Sequence, residues 1–160
     1  NISDVYPMHN NLIGRWDIGN SYLDGHIRKA NIDQGGKLPF SIYFNQYVDV
    51  VNIRNMSHIA EKVQSGDTFF WFEEGVGEVN IDNLQLGSSM FRVWTPSPMV
   101  VNITNSSFML SDSANPSADN VFNLVNCDVC MATGTDKRKH DLTFRGTMSQ
   151  LREYLEKYGY

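Results

Sequence analysis

Charge is scarce in this chain. Asp, Glu, Lys and Arg together make up 19% of its 160 residues, below the roughly 25% usual in soluble domains. What charge there is leans acidic, with a formal net charge of −5 and a pI near 5.2. A nucleic-acid backbone is therefore not an expected partner. No apolar run is long enough to span a membrane, so membrane insertion is not expected either. The chain starts at Asn1 with neither Met nor a signal peptide, and that start is read as the cut or processed end of a longer protein. Catalytic signatures are missing too. There is no H-E-x-x-H, no G-x-S-x-G, no P-loop and no dinucleotide fingerprint, and His9, His26 and His58 are scattered. Cysteine is limited to Cys127 and Cys130, a single C-x-x-C. It has no second pair and only His140 nearby for zinc, and no βαβ context for redox work. No metal and no cofactor is expected.

Amphipathic helices of ten or more residues are also absent from the middle of the chain, and so is a leucine-rich consensus. What is there is a short phrase that returns. It reads Val51-Asn52-Ile53-Arg54-Asn55, then Val79-Asn80-Ile81-Asp82-Asn83, then Val101-Asn102-Ile103-Thr104-Asn105. Ala30-Asn31-Ile32-Asp33-Gln34 is a weaker copy, and Phe122-Asn123-Leu124-Val125-Asn126 is a candidate fifth. The central positions 32, 53, 81, 103 and 124 are 21, 28, 22 and 21 residues apart. Within the phrase, apolar and polar residues alternate with a period of two, which is strand-like. A strand phrase at this period predicts an all-β fold, a β-solenoid (parallel β-helix) with coils of about 21 residues. Asn55, Asn83 and Asn105 close their phrases. Asn tolerates the left-handed region, so each is expected at a sharp bend, with its amide bonded to the next in a ladder.

A second strand precedes each phrase: Ser41-Ile42-Tyr43-Phe44, Phe69-Phe70-Trp71-Phe72 and Phe91-Arg92-Val93-Trp94. Offsets of 28 and 22 align them. An early coil is expected from Leu12 to Ile18 and from His26 to Ile32. The last coil has two readings. Phe122 to Val125 is either another phrase or the preceding strand, with Asp141 to Gly146 then as the phrase. The chain ends differently. Thr147-Met148-Ser149-Gln150 fits a capping box, and Leu151, Tyr154, Leu155 and Tyr158 fall on one helical face. Glu153 and Lys157 form a favourable pair, and Gly159 is a stop. Residues 1–146 are thus expected to form the coils of a single domain, and residues 147–160 a helix capping the end, where strand edge and core are otherwise exposed.

Short coils with Asn at the bend, aromatic strands and a capped end resemble the right-handed parallel β-helix of pectate-lyase-like proteins. Within that group the chain looks most like the C-terminal part of a bacteriophage tailspike or tail-fibre protein. The likeness spans roughly residues 31–146 and rests on pattern. It implies a homotrimer in a virion tail, or outside the cell, that binds bacterial surface polysaccharide. Interweaving of three chains in a triple β-helix is the nearest structural alternative. A polysaccharide depolymerase and a bacterial extracellular adhesin are the functional alternatives.

Two sets of residues are candidates for contact with a glycan. With the 22-residue offset, Arg92 and Trp94 align with Phe70 and Phe72. A buried unpaired Arg is costly, so Ile42, Phe44, Phe70, Phe72, Arg92 and Trp94 are expected to point outward, with Trp71, Phe69, Phe91 and Val93 inside. Phe70, Phe72, Arg92 and Trp94 would then bind substrate, the rings against sugar faces and Arg92 on an acidic group. Burial against sister subunits is the competing reading. If the protein is an enzyme, the catalytic candidates are Glu73, Glu74 and Asp82. Glycoside hydrolysis needs two carboxylates roughly 5 Å apart when retaining and 6.5–9.5 Å when inverting, and Glu74 with Asp82 or Asp49 is the proposed pair. A solvated acidic loop is the competing reading there.

Overall fold

The computed structural model describes residues 4–5, 15–18, 27–33, 37–38, 41–58, 67–110, 120–132 and 137–160. Five strands open the chain: β1 (Asp4–Val5), β2 (Arg15–Ile18), β3 (Ile27–Ile32), β4 (Lys37–Leu38) and β5 (Ser41–Phe44). Next come β6 (Val48–His58), β7 (Asp67–Phe72), β8 (Val76–Trp94), β9 (Val100–Thr104) and β10 (Ser107–Leu110). The chain closes with β11 (Val121–Met131), β12 (Lys139–Thr147) and the helix α1 (Met148–Lys157). Leu12, His9, His26 and the side chain of Phe69 lie outside the described residues.

The repeated phrase sets the pairing. Ile32 lies opposite Ile53, Ile53 opposite Ile81, Ile81 opposite Ile103, and Ile103 opposite Leu124, always between parallel strands. Phe122–Val125 is therefore a fifth phrase. Residues 141–146 belong to β12, which runs antiparallel to β11 and is not a phrase. Alternation buries Val51, Ile53, Val79, Ile81, Val101, Ile103, Phe122 and Leu124 in one core and turns the residues between them outward. Asn55, Asn83, Asn105 and Asn126 all have φ between 52 and 56°, so every phrase from the second on ends in a left-handed bend.

The β-solenoid expectation is overturned by how the sheet closes. β8 pairs with both β9 and β10, and both of those pair with β11, every pairing parallel. The sheet thus closes into a 4-strand parallel barrel, β8–β9–β11–β10, and does not run on as a solenoid. The physical cause lies in β8 and β11. Each passes through a left-handed Asn, Asn83 or Asn126, without ending. One strand therefore presents its backbone to a different neighbour on each side of its bend.

A second correction concerns faces. β5 and β7 pair as expected, with Ile42 opposite Phe70 and Phe44 opposite Phe72. β7 and β8 do not: Phe69 meets Arg92, Phe70 meets Val93 and Trp71 meets Trp94. The offset is one residue longer than expected, and a one-residue slip exchanges the two faces. β8 and β10 also shift register between Ser107 and Met109, so the stretch leading to the aromatic strand differs in length between repeats. Ile42, Phe44, Phe70 and Phe72 are accordingly inside, each at most 1% exposed. Phe44 stacks on Phe72 at 4.8 Å, and Phe91 joins Phe70 to Phe108 at 5.8 and 5.5 Å. Trp71, expected inside, is half-buried instead.

α1 packs on β11 and β12. Its capping box is complete: Gln150 N donates to Thr147 Oγ1 at 3.2 Å and Thr147 N donates to Gln150 Oε1 at 2.9 Å. Leu151 and Leu155 are buried, Tyr154 is half-buried, and Tyr158 is exposed at the C-cap. Gly159, at φ 78°, turns the chain, and Tyr160 O accepts from Met131 N at 2.8 Å. Arg138, just before β12, also holds the fold. The Arg138 guanidinium donates to the carbonyls of Leu86, at 2.9 Å, and Gly87, and to Ser107 Oγ.

Candidate functional site

The outer face of β3, β6, β8, β9 and β11 repeats as the core does. The second residue of every phrase is Asn, and register brings all five into one row. Asn52 Nδ2 donates to Asn31 Oδ1 at 2.9 Å, Asn80 to Asn52 at 3.1 Å, Asn102 to Asn80 at 3.0 Å and Asn123 to Asn102 at 2.8 Å. Each of the three inner amides spends one N–H and one acceptor direction on the row, while Asn31 only accepts and Asn123 only donates. A second row, from the fourth residue of each phrase, runs beside it: Arg54 faces Asp82, Asp82 faces Thr104, and Thr104 faces Val125. Together the rows floor an open groove of about 600 Å³, lined by Asn31, Asp33, Asn52, Arg54, Asn80, Asp82, Asn102 and Thr104. Glu78 lies on the other side of the amides and accepts from Asn102 Nδ2 at 3.3 Å.

Asp82 is fixed in this floor. One carboxylate oxygen, Oδ1, accepts from Thr104 Oγ1 at 2.7 Å and from Asn105 Nδ2 at 3.0 Å. These bonds, assisted by the positive charge of Arg54, hold its pKa below the ordinary value of 3.8. Asp82 is thus a fixed anion and a poor proton donor at neutral pH. The bend residues form a second, exposed ladder, with Asn83 donating to Asn55 at 3.0 Å and Asn126 to Asn105 at 2.8 Å. It is interrupted between Asn83 and Asn105, because the Asn105 amide turns to Asp82.

The residues singled out from sequence are dispersed. Asp82 is in the groove floor. Glu73 and Glu74 are exposed in the turn between β7 and β8, where Glu73 N donates to Phe44 O at 3.0 Å. Asp49 sits on β6 and is half-buried. Phe70 and Phe72 are core residues, so their expected role in substrate contact is corrected by the register slip. Arg92 and Trp94 are half-buried on the outer face of the aromatic strands. There Trp94 meets Trp71 edge-on at 5.8 Å, and Trp71 meets Tyr43 edge-on at 4.9 Å. The aromatic column on the surface is therefore Tyr43, Trp71 and Trp94. Sequence reasoning passed over Asn31, Asn52, Asn80, Asn102 and Arg54, although the signal was there: Asn recurs as the second letter of each phrase as well as the last.

Cys127 and Cys130 are buried and are not joined in a disulfide. Burial pushes the Cys127 pKa up, and its Sγ lies 3.4 Å from the carbonyl oxygens of both Ile103 and Val125. Among the described residues no group of three or more His, Cys, Asp or Glu is placed to hold a metal ion, and no helix is long and apolar enough to cross a membrane. No family model matches this chain, and neither does any curated protein or solved structure.

Proposed function

We propose that this chain is a glycan-binding attachment module of a phage tail spike or fibre, acting as a homotrimer that holds bacterial surface polysaccharide without cleaving it. The observation that supports this reading is the groove floored by the amide row. A sugar hydroxyl donates one hydrogen bond and accepts others. A row of primary amides offers donors and acceptors side by side, at the interstrand spacing of about 4.8 Å. The groove runs across the strands, so a linear polymer lying in it meets the same chemistry at each strand. The flanking Arg54, Asp82 and Glu78 add charge-assisted bonds to hydroxyls.

Binding is favoured over cleavage by the state of the carboxylates. Hydrolysis of a glycosidic bond needs one carboxyl that is protonated and another, ionised, across the bond. Asp82 is held ionised by Thr104, Asn105 and Arg54, and Glu73 and Glu74 stand in an exposed turn outside the groove lining.

The test is an array of bacterial surface polysaccharides, probed with the native chain and with Arg54→Ala, alongside an assay for new reducing ends. The expected outcome is retention of at least one glycan, weakened by Arg54→Ala, with no new reducing ends. Absence of binding to every glycan refutes the reading. Reducing ends that disappear in Glu74→Gln replace it with the depolymerase. Light scattering checks the assembly, for which three copies of the 18.2 kDa chain are expected.

A further inference from the structure

We infer that the β9–β11 end of the amide row, where it runs on past the groove lining to Asn123, is a subsite for an acetamido group, so that the glycan held there carries N-acetylated sugars; this rests on the glycan-binding reading above. The amide row does not have the same neighbours along its length. Near β6 and β8 it is flanked by Arg54, Asp82 and Glu78. At its last two rungs, Asn102 and Asn123, three of the four flanking positions on β9 and β11 are valines, with Glu78 accepting from Asn102 and Arg145 opposite Asn123 on β12. Val100 and Val121 face each other on one side of these rungs, and Val125 faces Thr104 on the other. Val125 is 51% exposed and Val100 38%. Only four large apolar residues are exposed among the described residues, the others being Tyr47 and Tyr158.

A single exposed valine needs no explanation. Two that straddle the same pair of amides make a mixed surface, with a polar centre and apolar shoulders. A plain hydroxyl meets the amides and leaves the valine methyls against water. An acetamido group answers both parts. Its C=O accepts the remaining N–H of Asn123, both Asn102 hydrogens going to Asn80 and Glu78; its N–H donates to an Asn oxygen, and its methyl group covers a valine side chain. The bonds formed are those that one amide of the row makes to the next, so the ligand extends a pattern the protein already uses.

Matched neutral sugars isolate the acetamido group without changing charge: chitotetraose against cellotetraose, and N-acetyllactosamine against lactose. Titration calorimetry with the native chain is expected to favour the N-acetylated member of each pair by roughly fivefold, the scale of burying one to two methyl groups. The double variant Val100→Thr, Val125→Thr keeps β-branching on two exposed strand positions. It should remove that preference, the loss of affinity falling on the N-acetylated member of each pair. Equal affinity within the pairs overturns the acetamido subsite while leaving the glycan reading in place. A preference that survives the double variant also overturns it. Binding of none of the four sugars, with a non-acetylated polysaccharide retained on the array, overturns the subsite alone. Binding of no glycan at all removes the function on which it rests.

Discussion

Asn83 combines a backbone demand with a side-chain one, and two substitutions separate them. Its φ of 56° lies in the left-handed region. Its Nδ2 donates to Asn55 at 3.0 Å, and its Oδ1 accepts from Gln85 Nε2 at 3.0 Å. Both bonds are exposed, so each contributes at the low end of the usual range, about 0.5 kcal/mol. Alanine loses both and adds a left-handed penalty of about 1–2 kcal/mol. Asn83→Ala is therefore expected to destabilise by about 2–3 kcal/mol, a large part of the 5–15 kcal/mol typical of a domain. Asn83→Gly loses the same bonds but adopts the bend without steric cost, adding about 0.5–1 kcal/mol of chain entropy instead. Its expected loss is about 1.5–2 kcal/mol. Urea unfolding followed by circular dichroism, with m-values checked for constancy, reads both. Equal losses would show that backbone strain plays no part. A loss below about 0.5 kcal/mol in both variants would refute the bend-and-ladder account altogether.

Two further predictions follow from the groove and its support. Asp82 has a folded-state pKa below its ordinary value of 3.8. Between the two values the unfolded chain binds the proton more readily, so the stability Asp82 contributes is present above pH 3.8 and is lost as pH falls through the depressed folded value. Asp82→Asn should flatten that part of a stability-against-pH curve measured by urea unfolding; an unchanged slope would count against the Thr104 and Asn105 bonds. Gly77 lies against β6, and a Cβ there would sit 2.6 Å from the Asp49 carbonyl oxygen. Gly77→Ala must push the strands apart and should cost about 1–3 kcal/mol. Thermal unfolding at the native midpoint would contradict this close approach.

The register of the phrases was legible because each phrase carries its own alternation: Val and Ile go inward, and one slip would expose the whole set. The helix was legible because Thr147 and Gln150 form a local device that needs no distant partner. The bends were legible from Asn83 and Asn105 for the same reason. Closure of the sheet was not legible, since it depends on β8 and β11 continuing past their bends to different neighbours, which no local pattern marks. The faces of the aromatic strands were misjudged because Phe69-Phe70-Trp71-Phe72 is apolar on both sides. With no alternation to fix the register, the burial cost of Arg92 was used, and it was applied to a register one residue out. The groove went unseen because Asn52, Asn80 and Asn102 look like generic outward polar residues until register sets them side by side.

The amide row has a direction. In all four bonds of the row the later Asn gives its hydrogen and the earlier one its oxygen, so the side-chain dipoles add rather than cancel. The row is hydrogen-rich towards Asn31 and oxygen-rich towards Asn123, where Arg145 stands opposite on β12. A polymer whose two ends differ, as every glycan chain's do, would find the two ways of lying in the groove unequal. The surface would therefore sort not only what is bound but which way round it is held, and a filament attached through it would meet its target in one fixed sense.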